Sequence, residues 1–309
     1  MKTIDLAGKV AFIAGIGDNQ GFGWSIARSL AEAGATLLIG VWPPVFSLLE
    51  RSLNREAWDQ SRTLSDGKKM EFSALYPLDA LYDTMQDVPE EVREHKRYRE
   101  YSDYAIQGVV DRVEREWGRI DLLVHALANA PEIQSPLKET SRKGYLAALS
   151  ASTYSFLSLV TRFAPLMQKE SAALTLTYRA GERVIPGYGG GMSSAKAALE
   201  QDVRTLAWEL GRERGIRINA LSAGPYASRA ARAIGSIEEM IEYSQRYAPL
   251  SGRLEGEDVG QAVLFLLSPW AKAITGTTLY VDHGLHVMGV ASPPPLLSEQ
   301  EESQSNAPI

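Results

Sequence analysis

The chain has 309 residues, 45% hydrophobic and 23% charged, with a formal net charge of −6; it holds no cysteine and four histidines (His95, His125, His283, His286) that lack close ligand spacing. This excludes a disulfide framework, a thiolate metal site and a cysteine nucleophile. An acidic chain also lacks the global electrostatic footprint of a nucleic-acid binder, although a local basic patch stays open, and no apolar stretch approaches the roughly 20 residues needed to span a bilayer.

Short apolar runs alternate with helical spacings along the chain. The N-terminus, MKTIDLAGKVAFIAG, reads as neither a signal nor a transit peptide. Lys9–Ala14 is strand-like, Trp24–Ala33 is helical and ends at Gly34, and Ala35–Trp42 is strand-like again. Residues 43–69 and 80–103 are charged and rich in turn formers, and read as insertions on one face of a single domain. Ile120–Ala126 and Ala172–Tyr178 are strand-like and Asp202–Arg214 is helical. Ile216–Ser222 is strand-like, Asp258–Leu267 helical, and Thr278–Asp282 closes the pattern. Such alternation predicts a parallel sheet covered on both faces, a Rossmann-like, doubly wound α/β fold. No fixed-period repeat or linker divides it. One dinucleotide-binding domain is expected over 1–291, followed over 292–309 by a disordered tail (SPPPLLSEQEESQSNAPI) too poor in apolar residues to offset ordering.

Ligands of such folds bind at the carboxyl ends of the strands. After the first strand comes Gly15-Ile-Gly17-Asp-Asn-Gln-Gly21-Phe-Gly23. Gly15 and Gly17 permit a tight turn, and Gly21 and Gly23 open a helix whose N-terminal N–H groups suit a pyrophosphate. A tight turn without a ligand is the plainer alternative. The second strand ends in Gly40-Val41-Trp42, with neither the Asp or Glu of a typical NAD site nor the Arg of an NADP site. Trp42 offers a flat face for adenine, or else caps the core. With no Arg or Lys nearby to take a 2′-phosphate, NADH is favoured over NADPH. Asp79, in Tyr-Pro-Leu-Asp, either accepts from the adenine amino group or caps a helix.

The loop after Ala172–Tyr178 carries Tyr178, Tyr188, three glycines, and a helix starting near Ser193 that includes Lys196. A tyrosine hydroxyl can donate to a developing oxyanion, and a nearby ammonium can lower the tyrosine pKa and hold a ribose. The usual reductase spacing is Tyr-x-x-x-Lys, but none of the thirteen tyrosines here has a lysine four positions on; Tyr188 precedes Lys196 by eight. A buried aromatic and a solvated lysine would be the plain structural reading.

These segments closely resemble the enoyl-acyl-carrier-protein reductases, a divergent branch of the short-chain dehydrogenase/reductases, and most of all their plastid and chlamydial type. The resemblance runs from about Leu6 to Gly289 and rests on GIGDNQGFGW, YPLDA, HALANAPEI, TSRKGYLAALS, IPGYGGGMSSAKAALE, INALSAGP, SRAARAIG and AITGTTLYVDHG. It implies NADH-dependent reduction of the trans-2 double bond of enoyl thioesters in type II fatty acid synthesis. The implied catalytic residues are Tyr188 on the thioester carbonyl, Lys196 on the nicotinamide ribose, and the upstream Tyr178. Cofactor contacts are implied for Gly15, Gly17, Gly21, Phe22, Trp42, Asp79, Ala80, Ala126, Leu127, Lys196, Ala223, Gly224, Pro225 and Ser228. Substrate contacts are implied for Asn129, Tyr178, Tyr188, Tyr226, Ala230, Ala233 and Ile234, with a helical substrate-binding loop over about 226–247.

The chain departs from the family at three places: Ala126 stands for a usual Ser, Tyr226 for Leu or Ile, and Ser236 for an aromatic. One acyl-pocket position thus gains a ring and another loses one, and the two are expected to compensate spatially. The histidines read as packing or interface residues. Implied partners are an acyl carrier protein, docking on a local basic patch with Arg229 and Arg232 as candidates, and further copies in a homotetramer. The implied compartment is a bacterial cytoplasm, or the plastid stroma for a processed form. Other readings are a ketone-reducing enzyme of the same superfamily, against which the missing Tyr-x-x-x-Lys argues, and a non-catalytic NAD(H)-binding protein, against which Tyr178, Tyr188 and Lys196 argue.

Overall fold

The computed structural model describes residues 3–289. Among them, seven apolar segments pair into one all-parallel sheet: β1 (Val10–Ala14), β2 (Thr36–Val41), β3 (Ala74–Pro77), β4 (Ile120–His125), β5 (Met167–Thr177), β6 (Arg217–Ala223) and β7 (Thr278–Val281), in the order β3-β2-β1-β4-β5-β6-β7. The helices are α1 (Phe22–Glu32), α2 (Pro43–Leu53), α3 (Asp59–Arg62), α4 (Glu90–Arg93), α5 (Ile106–Trp117), α6 (Arg142–Leu149), α7 (Ser155–Phe163), α8 (Met192–Arg214), α9 (Ile237–Tyr247) and α10 (Gly256–Leu267).

The strands read as continuous apolar runs because both faces are covered. Alternate residues of β1, β2 and β4 divide between two cores. Phe12, Leu38 and Leu123 pack with α5, α7 and α8 on one side. Ile13, Ile39 and Val124 pack with α1 and α10 on the other. This is the doubly wound fold expected.

Several local readings change. Residues 43–69, taken for an insertion, contain α2 and α3 and supply the crossover from β2 to β3. Pro43 and Pro44 fall in the first turn of α2, where a missing N–H costs nothing, so a proline pair that reads as a break begins a helix. Residues 80–103 do stand outside the sheet, around a small cluster of Val88, Tyr98 and Tyr104. The stretch 226–247 is helical only in α9 and a short 3-10 turn at Ala231–Ile234, with Gly235 at positive φ between them. Strand β5 begins five residues before its apolar part, because Gln168–Glu170 is exposed and polar. Between α6 and α7 lies a π turn at Ser150–Tyr154. The tail expected at 292–309 lies outside the described residues. No helix among the described residues is long and apolar enough to cross a membrane.

One buried cation ties the last crossover to the sheet. Arg217, at the start of β6, donates to the carbonyls of Leu266, Leu267 and Ser268 at 2.6, 3.2 and 3.1 Å, meeting the open C-terminus of α10. Arg217→Met keeps the bulk but leaves these carbonyls without donors. It is expected to cost about 2–4 kcal/mol, read as a lower midpoint in urea unfolding with an unchanged slope.

Candidate active site

The strand order reverses between β1 and β4, whose following helices leave for opposite faces, so the loops after these strands part and open a crevice. Gly15 forms one wall at φ +111°, and a Cβ there would collide with the Ala126 carbonyl. Gly17 and Gly21 are different: a Cβ would meet nothing nearer than 3.5 Å. The protein does not itself require glycine there, and the open backbone leads into α1, which has no side-chain cap. Bare amides at a helix N-terminus beside an open loop fit a pyrophosphate.

At the outer end of the crevice lies a groove of about 340 Å³ lined by Trp42, Leu78, Asp79, Ala80, Leu127 and Asn129, among others. Trp42 is 49% exposed, so it forms a wall of this groove and does not cap the core. Asp79 caps no helix. Its Oδ1 accepts from the Leu81 amide at 3.1 Å, and its Oδ2 accepts from the Tyr98 hydroxyl at 2.7 Å and from Trp42 Nε1 at 3.2 Å. Tyr98 was missed in the sequence, because nothing local to residues 80–103 ties it to Trp42.

At the end of β5 the rings of Tyr178 and Tyr188 meet at 5.1 Å between centroids, inclined by 58°. The glycines after Tyr188 press its loop onto the loop after β4. Gly189 and Gly190 donate to Ile133 and Ser135 at 3.0 and 2.9 Å, and a Cβ at Gly190, whose φ is +60°, would collide with Glu132. Burial raises both tyrosine hydroxyls, Tyr178 to about 12 and Tyr188 further, so both hold their protons and can donate. Lys196, in the first turns of α8, is buried, and its pKa is pushed down to about 8. Its Nζ donates to the Leu176 carbonyl at 2.9 Å, with no hydrogen bond to Tyr188. Glu200 lies one turn on, raised by burial, and accepts from Thr177 at 2.7 Å.

The π turn holds this region together. Ser152 accepts from the Asn129 amide at 3.0 Å, and Thr153 donates to the Ala195 carbonyl, next to Lys196, at 2.7 Å. His125 has the packing role expected. It is fully buried between Thr175 and Ser155, each at 2.8 Å, and burial holds its pKa near 3, so it stays neutral. No periodicity in the sequence marks a π turn, because it adds one residue to a helical run.

A second cavity of about 350 Å³ lies between the end of β5 and α9, lined by Tyr178, Ile185, Pro186, Pro225, Met240 and Tyr243. Its mostly apolar walls suit a short acyl chain, with the Tyr178 hydroxyl as a polar handle. Tyr188 lines a wider, more open groove with Ser135, Ile185 and Gly189. Not every expected substrate contact gathers here. Tyr226 stacks on Phe22 at 4.7 Å, beside the first glycine loop, while Ser236 sits against Gly187. The two departures therefore have different neighbours, and the Tyr226 ring does not stand in for the one Ser236 lacks. Ala230 borders the Trp42 groove with Asn129. Ala233 is exposed and its carbonyl accepts from Gln134, and Ile234 is half-buried. Ala223, Gly224 and Pro225 are buried at the end of β6, and Ser228 accepts from the Ala231 amide at 3.1 Å.

Comparison with known proteins identifies relatives along most of the chain. A family model described as enoyl-(acyl carrier protein) reductase matches residues 101–286. The chain is 56% identical over 296 residues to the chloroplastic NADH enoyl-[acyl-carrier-protein] reductase of Arabidopsis thaliana, covering 96% of this chain and 76% of that one. It is equally identical over 295 residues to reductase 1 of the same name from rice, Oryza sativa, covering 96% and 79%. The crystal structure of the Plasmodium berghei enoyl-acyl-carrier-protein reductase with triclosan superposes with a TM-score of 0.89 at 46% identity, covering 91% of this chain and 98% of that one. A doubly wound sheet, an open crevice between the loops after β1 and β4, and a tyrosine pair on the loop that leads into the helix of the buried Lys196 accompany these matches over most of the sequence, and the chain belongs to the enoyl-acyl-carrier-protein reductase family.

Proposed function

We infer that this chain reduces the trans-2 double bond of enoyl thioesters presented by an acyl carrier protein, using NADH, as a step of type II fatty acid synthesis. The observation that carries this reading is the Tyr178–Tyr188 pair at the mouth of the crevice, on the loop that leads into the helix of the buried Lys196. When bound, the nicotinamide supplies a hydride to the thioester β-carbon. Negative charge then gathers on the thioester oxygen, and Tyr188, whose raised pKa keeps its proton in place, donates a hydrogen bond to that oxygen. Tyr178, packed against it, bounds the acyl cavity and orients the Tyr188 ring. Lys196 holds the ribose hydroxyls as an ammonium and supports the same charge. The α-carbon takes its proton from Tyr188 or from water.

Further features of this reading are also ours. The bare α1 terminus with Gly15, Gly17 and Gly21 takes the pyrophosphate, and Trp42, Asp79 and Ala80 take the adenine end. The stretch from Ala223 to Ser228 follows the nicotinamide and phosphates, and the segment 226–247 covers the acyl chain. A homotetramer is supported by exposed Leu146, Tyr154 and Trp208 on α6, the π turn and α8. The working compartment is a bacterial cytoplasm, or the plastid stroma for a processed form. Ketone reduction is the second reading, and the separation of Tyr188 from Lys196 by eight residues counts against it. Assays with crotonyl and acetoacetyl thioesters separate the two.

Tyr188→Phe is expected to lower kcat with crotonyl-CoA about 10²–10³-fold while leaving NADH affinity within twofold by fluorescence titration; turnover like that of the parent refutes the assignment. Because kcat/KM reports the free enzyme and the Lys196 pKa is depressed to about 8, the ammonium is present below that pH and lost above it. The kcat/KM for NADH should therefore be level below about pH 8 and fall above it, and Lys196→Met should remove that limb from the profile. Arg229 and Arg232 are both exposed beside the substrate segment. Reversing both to Glu is expected to raise KM for carrier-bound substrate about tenfold and leave KM for the CoA thioester unchanged; an equal rise in both rejects the docking patch.

A further inference from the structure

We infer that Tyr98, from the segment 80–103, is a positioning residue that locks Trp42 and Asp79 so that the adenine-ribose end of the crevice rejects a 2′-phosphate. The inference rests on the NADH reading above and gives it a cause.

Trp42 directly follows β2, the place where doubly wound folds read the adenine ribose. An indole has a single donor, Nε1. Here that donor is committed, at 2.9 Å to the Tyr98 hydroxyl and 3.2 Å to Asp79 Oδ2. The Tyr98 hydroxyl accepts from Trp42 and donates its own hydrogen bond to Asp79 Oδ2 at 2.7 Å. The remaining oxygen of Asp79 takes the Leu81 amide. Asp79 is 4% exposed and Tyr98 8%. Among the described residues no cation pairs with Asp79, and the groove is lined by no Lys or Arg. Neutral donors alone satisfy the carboxylate, so its charge stays uncompensated at the end of the groove.

A ribose 2′-hydroxyl is tolerated beside such a charge. A 2′-phosphate carries up to two negative charges into a partly desolvated site, where Coulomb repulsion is weakly screened. It also finds no donor at Trp42, whose Nε1 is spent. This is selectivity by penalising the wrong ligand. Tyr98 holds the arrangement because the segment that carries it is anchored twice. The Tyr98 ring meets Tyr104 at 5.0 Å, and the Tyr104 carbonyl accepts from the Asp79 amide at 2.7 Å. Tyr101 packs on Phe46 of α2 at 5.4 Å. The segment thus straps α2 to the loop after β3 and sets the Tyr98 hydroxyl between Trp42 and Asp79.

The test is calorimetric binding of ADP-ribose and its 2′-phosphate to the full chain, with NADH and NADPH kinetics alongside. The parent is expected to bind ADP-ribose at least tenfold more tightly. Tyr98→Phe should cut this ratio at least fivefold, with kcat at saturating NADH changed less than twofold and thermal unfolding showing a folded protein. Trp42→Phe should cut the ratio similarly, and the double variant no further, because both act through one linkage. Tyr101→Phe, in the same segment, should leave the ratio within twofold. The inference is overturned if the parent does not discriminate, if both affinities fall equally in Tyr98→Phe, or if the two substitutions add. Binding needs no enoyl substrate, so a protein that shows this discrimination but turns over no enoyl thioester would refute the proposed function and leave this inference standing.

Discussion

The reversal of winding between β1 and β4 is the constraint from which the site follows. Adjacent parallel strands whose helices depart to opposite faces cannot close the space above their carboxyl ends. Backbone must then approach backbone at the rim, as Gly15 does against the Ala126 carbonyl. The glycine loop, the Trp42 groove, the loop after β4 and the tyrosine loop all border this one crevice.

Burial sets the chemistry available at the tyrosine loop. The same burial that raises the Tyr178 and Tyr188 hydroxyls lowers Lys196 to about 8, so the hydroxyls hold their protons while the ammonium becomes labile. Glu200, one turn from Lys196, partly restores the ammonium and is itself raised by burial. Charge in this region is rationed by desolvation more than by ion pairing. In the Trp42 groove, Asp79 is held by neutral donors alone. No thiol enters these arrangements, since the chain has no cysteine.

Much of the fold was legible in the sequence. Six of the seven strands stand out as apolar runs between helical spacings, because strands covered on both faces are poor in polar residues. Misreadings occur where a local signal has two meanings. Pro43-Pro44 marks a break in a loop but an ordinary first turn in a helix. Gln168–Glu170 is polar yet extends β5, because that end of the strand stands out of the core. Tyr226 took its assignment from the family's acyl pocket, and its ring instead stacks on Phe22, an aromatic neighbour that no spacing between positions 22 and 226 announces.

By itself the sequence determined the winding class, the glycine loop after β1 and the presence of Tyr178, Tyr188 and Lys196 on one loop and helix, since each rests on residues close together in the chain. Tertiary structure alone decided which groups share a charge or a proton. The Lys196 bond to the Leu176 carbonyl, the Ser152 and Thr153 clamps from the π turn, and the Trp42–Tyr98–Asp79 linkage join residues 19 to 56 positions apart. Hydrogen bonds are directional and fall off within a few tenths of an ångström. Which distant partners meet is therefore set by how the helices seat on the sheet, and no local pattern carries that information.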